Sequence, residues 1–387
     1  MKFIGVMTGT SLDGLDACLI DCHEAGISRL ASCSHEMAPG LRDQFTSLLS
    51  GGLPNALEVA AQAGLALSSA VANLVEDLLR QTGLSPDQIT ALGVHGQTVR
   101  HRPGEGFSLQ LLAAPWLAEQ TGIPVAFDFR SRDIAAGGQG APLVPPFHAA
   151  LLCQAVGVDH SPGWTGVLNL GGIANVSLMQ LQRIAPPTGP EGQPAWQARS
   201  LGGFDTGPAN TLLDGWVQRH LGQPYDTDGA WASEGTPHAE LLQACLQDPF
   251  FLATPPKSTG REHFNLEWLD AQLAKLTGRG QAMPSASDVQ ATLLALTITS
   301  IAQALPRDIQ SLWICGGGAR NRALVAGLAD ATGVAVTPTD LIGWPTQDIE
   351  AAAFGWLAWR LHCQRPGNDP GVTGARGPRL LGCWAPA

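Results

Sequence analysis

Apolar and polar positions alternate in blocks along this chain. A recurring unit is a short apolar run, a turn rich in Gly, Ser, Thr or Asp, and a second apolar run. Phe3-Ile4-Gly5-Val6-Met7 and Ala17-Cys18-Leu19-Ile20 flank the turn Gly9-Thr10-Ser11-Leu12-Asp13-Gly14-Leu15-Asp16, which predicts a β-hairpin. Residues 54–82 are Ala/Leu-rich with helical character, and Gly83 ends them. Residues 91–94 read as a buried strand that delivers His95-Gly96-Gln97-Thr98, and residues 123–127 as another that delivers Asp128 to Asp133. The second half repeats the logic. Strands over 164–170 and 174–179 flank Gly171-Gly172-Ile173, residues 181–197 read as a surface excursion, and a further strand ends at Phe204. A helix is expected over 209–221, and another over 288–305 with Asp288 or Ser287 as N-cap and Pro306 as stop. A strand over 311–315 runs into Gly316-Gly317-Gly318, with helices from about Asn321 and over 347–362. Polar groups at strand ends with helices between them mark an α/β protein whose ligands collect at those ends.

Composition narrows the function classes. The chain has 387 residues, 44% hydrophobic and 14% charged, with a formal net charge of −11. That length suits two domains, and the acidic balance argues against a nucleic-acid or anionic-membrane surface. No basic segment with a long apolar region opens the chain, and no apolar stretch reaches the roughly 18 residues of a membrane span, so a cytoplasmic protein is expected. The eight cysteines form no CxxC pair and read as reduced thiols.

The first turn is not a Walker A loop, because no lysine follows it; the only lysines are Lys2, Lys257 and Lys275. Thr10, Ser11 and the backbone at Gly9 and Gly14 suit a phosphate, though a plain chain reversal needs the same residues. Three segments then fall into an order that resembles the actin/Hsp70/sugar-kinase superfamily: the turn at 9–14, Asn169-Leu170-Gly171-Gly172-Ile173-Ala174-Asn175, and Cys315-Gly316-Gly317-Gly318-Ala319-Arg320-Asn321. They match its phosphate-1, phosphate-2 and adenosine elements. Gly-Thr-Ser-Leu-Asp-Gly-Leu-Asp at 9–16, His-Gly-Gln-Thr at 95–98, Asp128-Phe-Arg-x-x-Asp133, Gly140-Ala-Pro-Leu-Val-Pro145 and Phe204-Asp-Thr-Gly-Pro208 narrow this to a resemblance to the anhydro-N-acetylmuramic acid kinase family. It runs from Ile4 to about Gly377. Thr8 stands where the family has Ser, and Ala209 where it usually has Gly.

The resemblance implies two ribonuclease-H-like α/β domains of the actin/Hsp70 type around an interdomain nucleotide cleft. Residues 1–127 with 345–387 are expected as one domain and 128–344 as the other. It further implies ATP and Mg²⁺, held by Gly9, Thr10, Ser11, Leu12, Asp13, Gly14, Leu15, Asp16, Asn169, Gly171, Gly172, Gly316, Gly317, Gly318 and Asn321. Asp13 stands either near the metal or as a turn cap. Gln97, Thr98, Arg130 and Asp133 are implied as sugar contacts; Arg130 and Asp133 read equally as a structural ion pair, and His95 as a satisfied strand-end histidine. Asp205 is the implied general base for water attack at the anomeric carbon, set against its reading as an N-cap for the helix at 209. The implied partners are anhydro-N-acetylmuramic acid, ATP and water, and a homodimer is left open. A glycoside hydrolase would use carboxylates but has no use for two phosphate hairpins.

Overall fold

The computed structural model describes residues 1–9, 12–24, 26–156, 162–184, 195–278 and 282–387, and Thr10 and Ser11 lie outside them. Backbone contacts divide the chain into two compact units, Met1–Gln154 with Gln347–Ala387, and Ala155–Thr346. The first boundary falls later than the expected 127/128, and Arg130, Asp133 and the helix Pro145–Ala155 up to Gln154 belong with the first unit.

The first unit contains β1 (Lys2–Thr8), β2 (Gly14–His23), β3 (Gly26–Glu36), β4 (Ala91–Val94), β5 (Gln97–Arg102), β6 (Phe107–Leu111) and β7 (Val125–Phe127), with a C-terminal strand Cys383–Ala385. Its main sheet has the order β3-β2-β1-β4-β7, and the C-terminal strand adds to β7. β1, β2 and β3 form an antiparallel meander, whereas β4 joins β1 and β7 joins β4 in parallel. β1 and β4 are buried almost throughout because helices cover the central strands; β3 alternates, as an edge strand should. β5 and β6 form a separate hairpin.

The second unit contains β8 (Gly163–Leu170), β9 (Ile173–Ile184), β10 (Ala195–Pro208), β11 (Ile309–Cys315) and β12 (Val336–Pro338). Its sheet has the order β10-β9-β8-β11-β12, again a meander followed by two parallel additions beside its first strand. Both sheets are therefore ribonuclease-H-like. The expected excursion over 181–197 is shorter at each end, since β9 continues to Ile184 and β10 starts at Ala195; residues 185–194 are outside the described residues. β10 also runs past Phe204 to Pro208, which places Asp205 inside a strand.

Local signals explain most element ends. The helix Ala56–Thr82 stops where Gly83 takes φ 68° and donates its N–H to Leu79 O. This helix is long and apolar enough to cross a membrane by length and composition, which corrects the expectation that no stretch is. Leu67, Val71, Leu74, Val75 and Leu78 bury its inner face in the core of the first unit, against β2 and β3. The helix Ala286–Ala304 is capped by Ser285, whose hydroxyl accepts from Asp288 N; Asp288 is its third residue and not the cap. Ala209 precedes the helix Asn210–Leu221 with φ −120°, so the family's glycine is not needed there for a left-handed backbone.

The helix Ile349–His362, buried along almost its whole length, lies on β1, β2 and β4. Gly5 and Gly93 permit this: a Cβ on Gly5 would overlap Ala351 O, and one on Gly93 would overlap Phe354 O and stand 3.0 Å from Ala358 Cβ. Backbone rests on backbone at both points. Gly93→Val is therefore expected to cost roughly 1–3 kcal/mol or more by overpacking, read as a lower denaturant midpoint. An unchanged midpoint would mean that the helix does not rest on β4.

Candidate active site

In the first unit, the turn between β1 and β2 holds Leu12, a residue other than glycine, at φ 58°. Its side chain is buried, its N–H bonds to Gly9 O at 3.2 Å, and Arg42 Nε holds its carbonyl at 3.0 Å. A non-glycine residue in this region stores strain, which persists only where neighbours over-determine it. Asp13 is exposed, and Gly14 and Leu15 begin β2. Asp16 accepts from Ser34 Oγ at 2.6 Å, and burial raises its carboxyl above the usual range, with Asp348 adding to the effect.

The end of β1 is tied to the start of β5. Thr8 Oγ1 donates to the buried Gln97 Oε1 at 2.8 Å, so the Thr that replaces the family's Ser keeps the hydroxyl this link needs. Gln110 Nε2 donates to Thr98 Oγ1 at 3.1 Å. Arg130 Nη2 meets His95 Nε2 at 2.8 Å, and its Nη1 donates to Gly140 O at 2.6 Å. Burial and the neighbouring guanidinium hold His95 neutral, well below its ordinary value, and burial lowers Arg130 to about 10, so Arg130 is charged at neutral pH. The expected Arg130–Asp133 pair does not form. Asp133 is fully buried and accepts from Gly140 N at 2.8 Å, Asn368 Nδ2 at 2.6 Å and Thr373 Oγ1 at 2.7 Å. Its donors tie the loop at 140 to the C-terminal segment, a structural duty. Beside these groups lies a cavity of about 270 Å³ lined by His95, Ser108, Gln110, Phe127, Asp128 and Ser131.

In the second unit, register places Cys315, Asn169, Asn175 and Asp205 in one row across β11, β8, β9 and β10. The two glycine turns open at the same end of the sheet. Gly316 adopts φ 80°, and a Cβ there would lie 3.0 Å from the Leu170 carbonyl, so this crossing requires glycine. A Cβ on Gly171 would stand 3.6 Å from Ile173 O, and one on Gly317 3.9 Å from Asn210 Nδ2, both ordinary contacts. The carbonyls of Gly171 and Gly172 accept from Asn210 N and from Ala209 N and Thr211 N, and Asn210 Nδ2 donates to Leu170 O at 2.9 Å. Asn321 caps the helix Arg322–Thr332 by accepting from Leu324 N at 3.1 Å.

Asp205 caps no helix. Ser258 Oγ at 2.8 Å and Thr259 N at 2.9 Å both donate to its Oδ2, while Asp205 N donates to Lys257 O. A register shift between Asp205 and Gly207, with Gly207 at φ 146°, marks a bulge that re-aims the strand at this point. Both bonds fall on one oxygen, so Oδ1 accepts none among the described residues. Burial raises the Asp205 carboxyl, the two donors oppose that, and Glu262 adds to it. Ser258, Thr259 and Arg261 were not predicted. Their signal was the polar run Lys257-Ser258-Thr259-Gly260-Arg261, which carries no motif by itself.

The site fits the groups implied by the sequence. The Thr211 hydroxyl is buried without a partner, 2.6 Å from the position a Cβ on Gly172 would occupy, and so is free to meet a phosphate oxygen. Among the described residues no cluster of three metal-ligating side chains exists.

One consequence concerns stability. The folded Asp205 has a raised value, so the stability it contributes is full below the unfolded value and lost as pH rises through the folded one. Asp205→Asn keeps an acceptor for Ser258 and Thr259 without the charge. At neutral pH its melting temperature should equal or exceed that of the wild type, and the difference should shrink in acid. A variant melting well below the wild type at neutral pH would contradict this.

The sequence pattern of the anhydro-N-acetylmuramic acid kinase family matches residues 1–387. An anhydro-N-acetylmuramic acid kinase of Bordetella pertussis is 48% identical over 392 residues, covering 100% of this chain and 96% of that one. One of Burkholderia pseudomallei is 45% identical over 395 residues, covering 99% and 97%. A ROK family glucokinase from Streptomyces griseus, solved with glucose and AMPPNP, aligns with 92% of this chain and 99% of its own at 13% identity and a TM-score of 0.40. With its whole length matched and nearly half its residues shared with such relatives, the chain belongs to the anhydro-N-acetylmuramic acid kinase family, phosphotransferases with an alcohol group as acceptor.

Proposed function

We propose that this chain opens 1,6-anhydro-N-acetylmuramic acid with water and phosphorylates O6 from ATP, giving N-acetylmuramic acid 6-phosphate and ADP, with Asp205 as general base. The carrying observation is the division of labour on that carboxylate. Oδ2 is pinned by Ser258 and Thr259, and Oδ1 is left to take a proton. A carboxylate is ionised at neutral pH and needs only modest tuning to accept one.

Water attacks C1 as its proton passes to Asp205. The C1–O6 bond breaks, and O6 takes the electron pair with which it attacks the γ-phosphorus. The bond from that phosphorus to the bridging oxygen then breaks, and ADP leaves. Such transfer depends on positioning and charge neutralisation, so no covalent nucleophile is required. Asn169 and the turns at Gly171–Gly172 and Gly316–Gly318 are proposed to receive the nucleotide, because both turns follow parallel neighbouring strands and open at the same end of the sheet. Magnesium, when bound, would neutralise phosphate charge, and the exposed Asp13 is the carboxylate proposed for it. Arg130, a half-buried cation that makes no ion pair with Asp133 although Glu350 and Asp133 both favour its charge, is proposed to meet the lactyl carboxylate of the sugar, with Thr98 as a further contact. Gln97 and Asp133 support these residues from behind. A cytoplasmic place, in the recycling of cell-wall peptidoglycan, goes with this reading.

Asp205→Asn is expected to lower turnover by roughly 10²–10⁴-fold while nucleotide affinity persists. In ¹⁸O-water the wild-type product should carry the label at C1 and not in the phosphate. An almost fully active variant, or label in the phosphate, would overturn the assignment.

A further inference from the structure

The chain lacks the lysine that usually meets a transferred phosphate, and its three lysines are engaged elsewhere or remote from the glycine turns in sequence. Lys257 Nζ donates to Phe250 O at 3.1 Å and stands 4.6 Å from the Phe250 ring centre. Lys275 Nζ donates to Gln272 Oε1, and Lys2 begins β1 in the other unit. A phosphoryl group gathering charge at the Gly171–Gly172 turn needs another cation. Arg261 stands there. Its Nη2 and Nε lie 3.2 and 3.3 Å from the position a Cβ on Gly172 would occupy, so only the missing side chain leaves room for the guanidinium.

Two further observations set Arg261 apart from an ordinary surface arginine. Its side chain is exposed and makes no hydrogen bond or ion pair among the described residues, in a chain that carries an excess of acids. The second is Thr211 Oγ1, which is buried without a partner and lies 2.6 Å from the same Gly172 Cβ position. A free guanidinium and an orphan hydroxyl thus converge on one glycine. Arg261 also shares its loop with Ser258 and Thr259, which hold the base.

We propose that Arg261 is a catalytic residue that grips the transferred phosphoryl group, with the Thr211 hydroxyl donating beside it. The inference rests on the reading of function given above. Planar guanidinium donors match two equatorial phosphoryl oxygens at once. As the bond from O6 to phosphorus forms and the bond to the bridging oxygen of ADP breaks, the charge on those oxygens shifts towards the donors. The loop 257–261 then serves both halves of the reaction, its hydroxyl and amide fixing the base and its guanidinium meeting the phosphate.

The test uses the full chain with Arg261→Ala, Arg261→Lys and Thr211→Val. Arg261→Ala should lower turnover by roughly 10²–10³-fold, the scale of losing a donor aimed at developing charge. Calorimetry without sugar gives the second readout. Affinity for ADP should be unchanged, whereas affinity for a non-hydrolysable ATP analogue should fall by about tenfold or more, the value of a charge-assisted bond to the terminal phosphate. Added guanidinium should restore part of the Arg261→Ala turnover, and Arg261→Lys should remain well below the wild type because a point charge lacks the fork. Thr211→Val should show the same selective loss for the ATP analogue, to a smaller degree. An Arg261→Ala enzyme with near-normal turnover overturns the proposal, as does an equal loss of ADP and ATP-analogue binding. Those outcomes leave the family reaction intact if the wild type still forms the 6-phosphate. A wild type that transfers no phosphate to the anhydro sugar overturns both readings.

Discussion

The first unit depends on one close contact, the helix Ile349–His362 lying backbone to backbone on β1 and β4. Gly5 and Gly93 make it possible, and Gly355 meets them from the helix side, where a Cβ would stand 3.0 Å from Gly5 N. Interiors pack at crystal-like density, so a contact this short leaves no room for adjustment. It draws a segment from the end of the sequence into a sheet built from the beginning. It also fixes the ends of β1 and β4, where the candidate groups emerge. Phe354 of this helix touches the His95 ring at 4.8 Å between centres and the Phe129 ring at 5.6 Å. His95 receives Arg130, and the end of β1 holds Gln97 through Thr8. The residues proposed to face the sugar are thus set in part by a helix packed behind them.

The second unit solves a related problem with the same strand order. Its glycine turns follow β8 and β11, parallel neighbours whose ends lie side by side, so the two turns meet without a long loop to bring them together. Both need glycine for a reason other than flexibility. At Gly316 and Gly318 the obstacle is the Leu170 residue of the neighbouring turn; at Gly172 it is Thr211 and Arg261. A substitution at Gly172 therefore carries steric damage of its own, whereas a Cβ on Gly171 would make only an ordinary contact with Ile173 O at 3.6 Å.

What could be read from the sequence was local. The β1–β2 hairpin, the Gly83 stop, the strand 91–94 and the glycine turns were all legible, because each is specified by a few adjacent residues. The expected fold followed from a resemblance spread along the chain, and the strand orders agree with it. The roles of Asp133 and of the loop 257–261 were not legible. Asp133 is bound by Asn368 and Thr373, more than two hundred residues away in sequence, and Asp205 by Ser258 and Thr259, some fifty residues on. Pairings at such separations leave no periodic trace. The helix Ala56–Thr82 was legible as a helix, but its length and small apolar residues would also suit a membrane span, while their spacing serves a face packed into a core.

The treatment of Asp205 and Asp133 shows how one residue type is given opposite tasks. Asp133 is fully enclosed and met by three donors, so both of its oxygens are satisfied within the first unit. Asp205 is buried enough to be raised, yet its donors sit on one oxygen and oppose the rise only in part. Adding a donor at Oδ1 would favour the fold and weaken the base, because a carboxylate with every lone pair satisfied has less tendency to accept a proton. A bulged strand is a suitable mount for such a group. It turns the side chain out of the regular sheet pattern towards the loop that holds Oδ2, and leaves Oδ1 outside that grip. The partial satisfaction of Asp205 is the feature on which its proposed role as base rests.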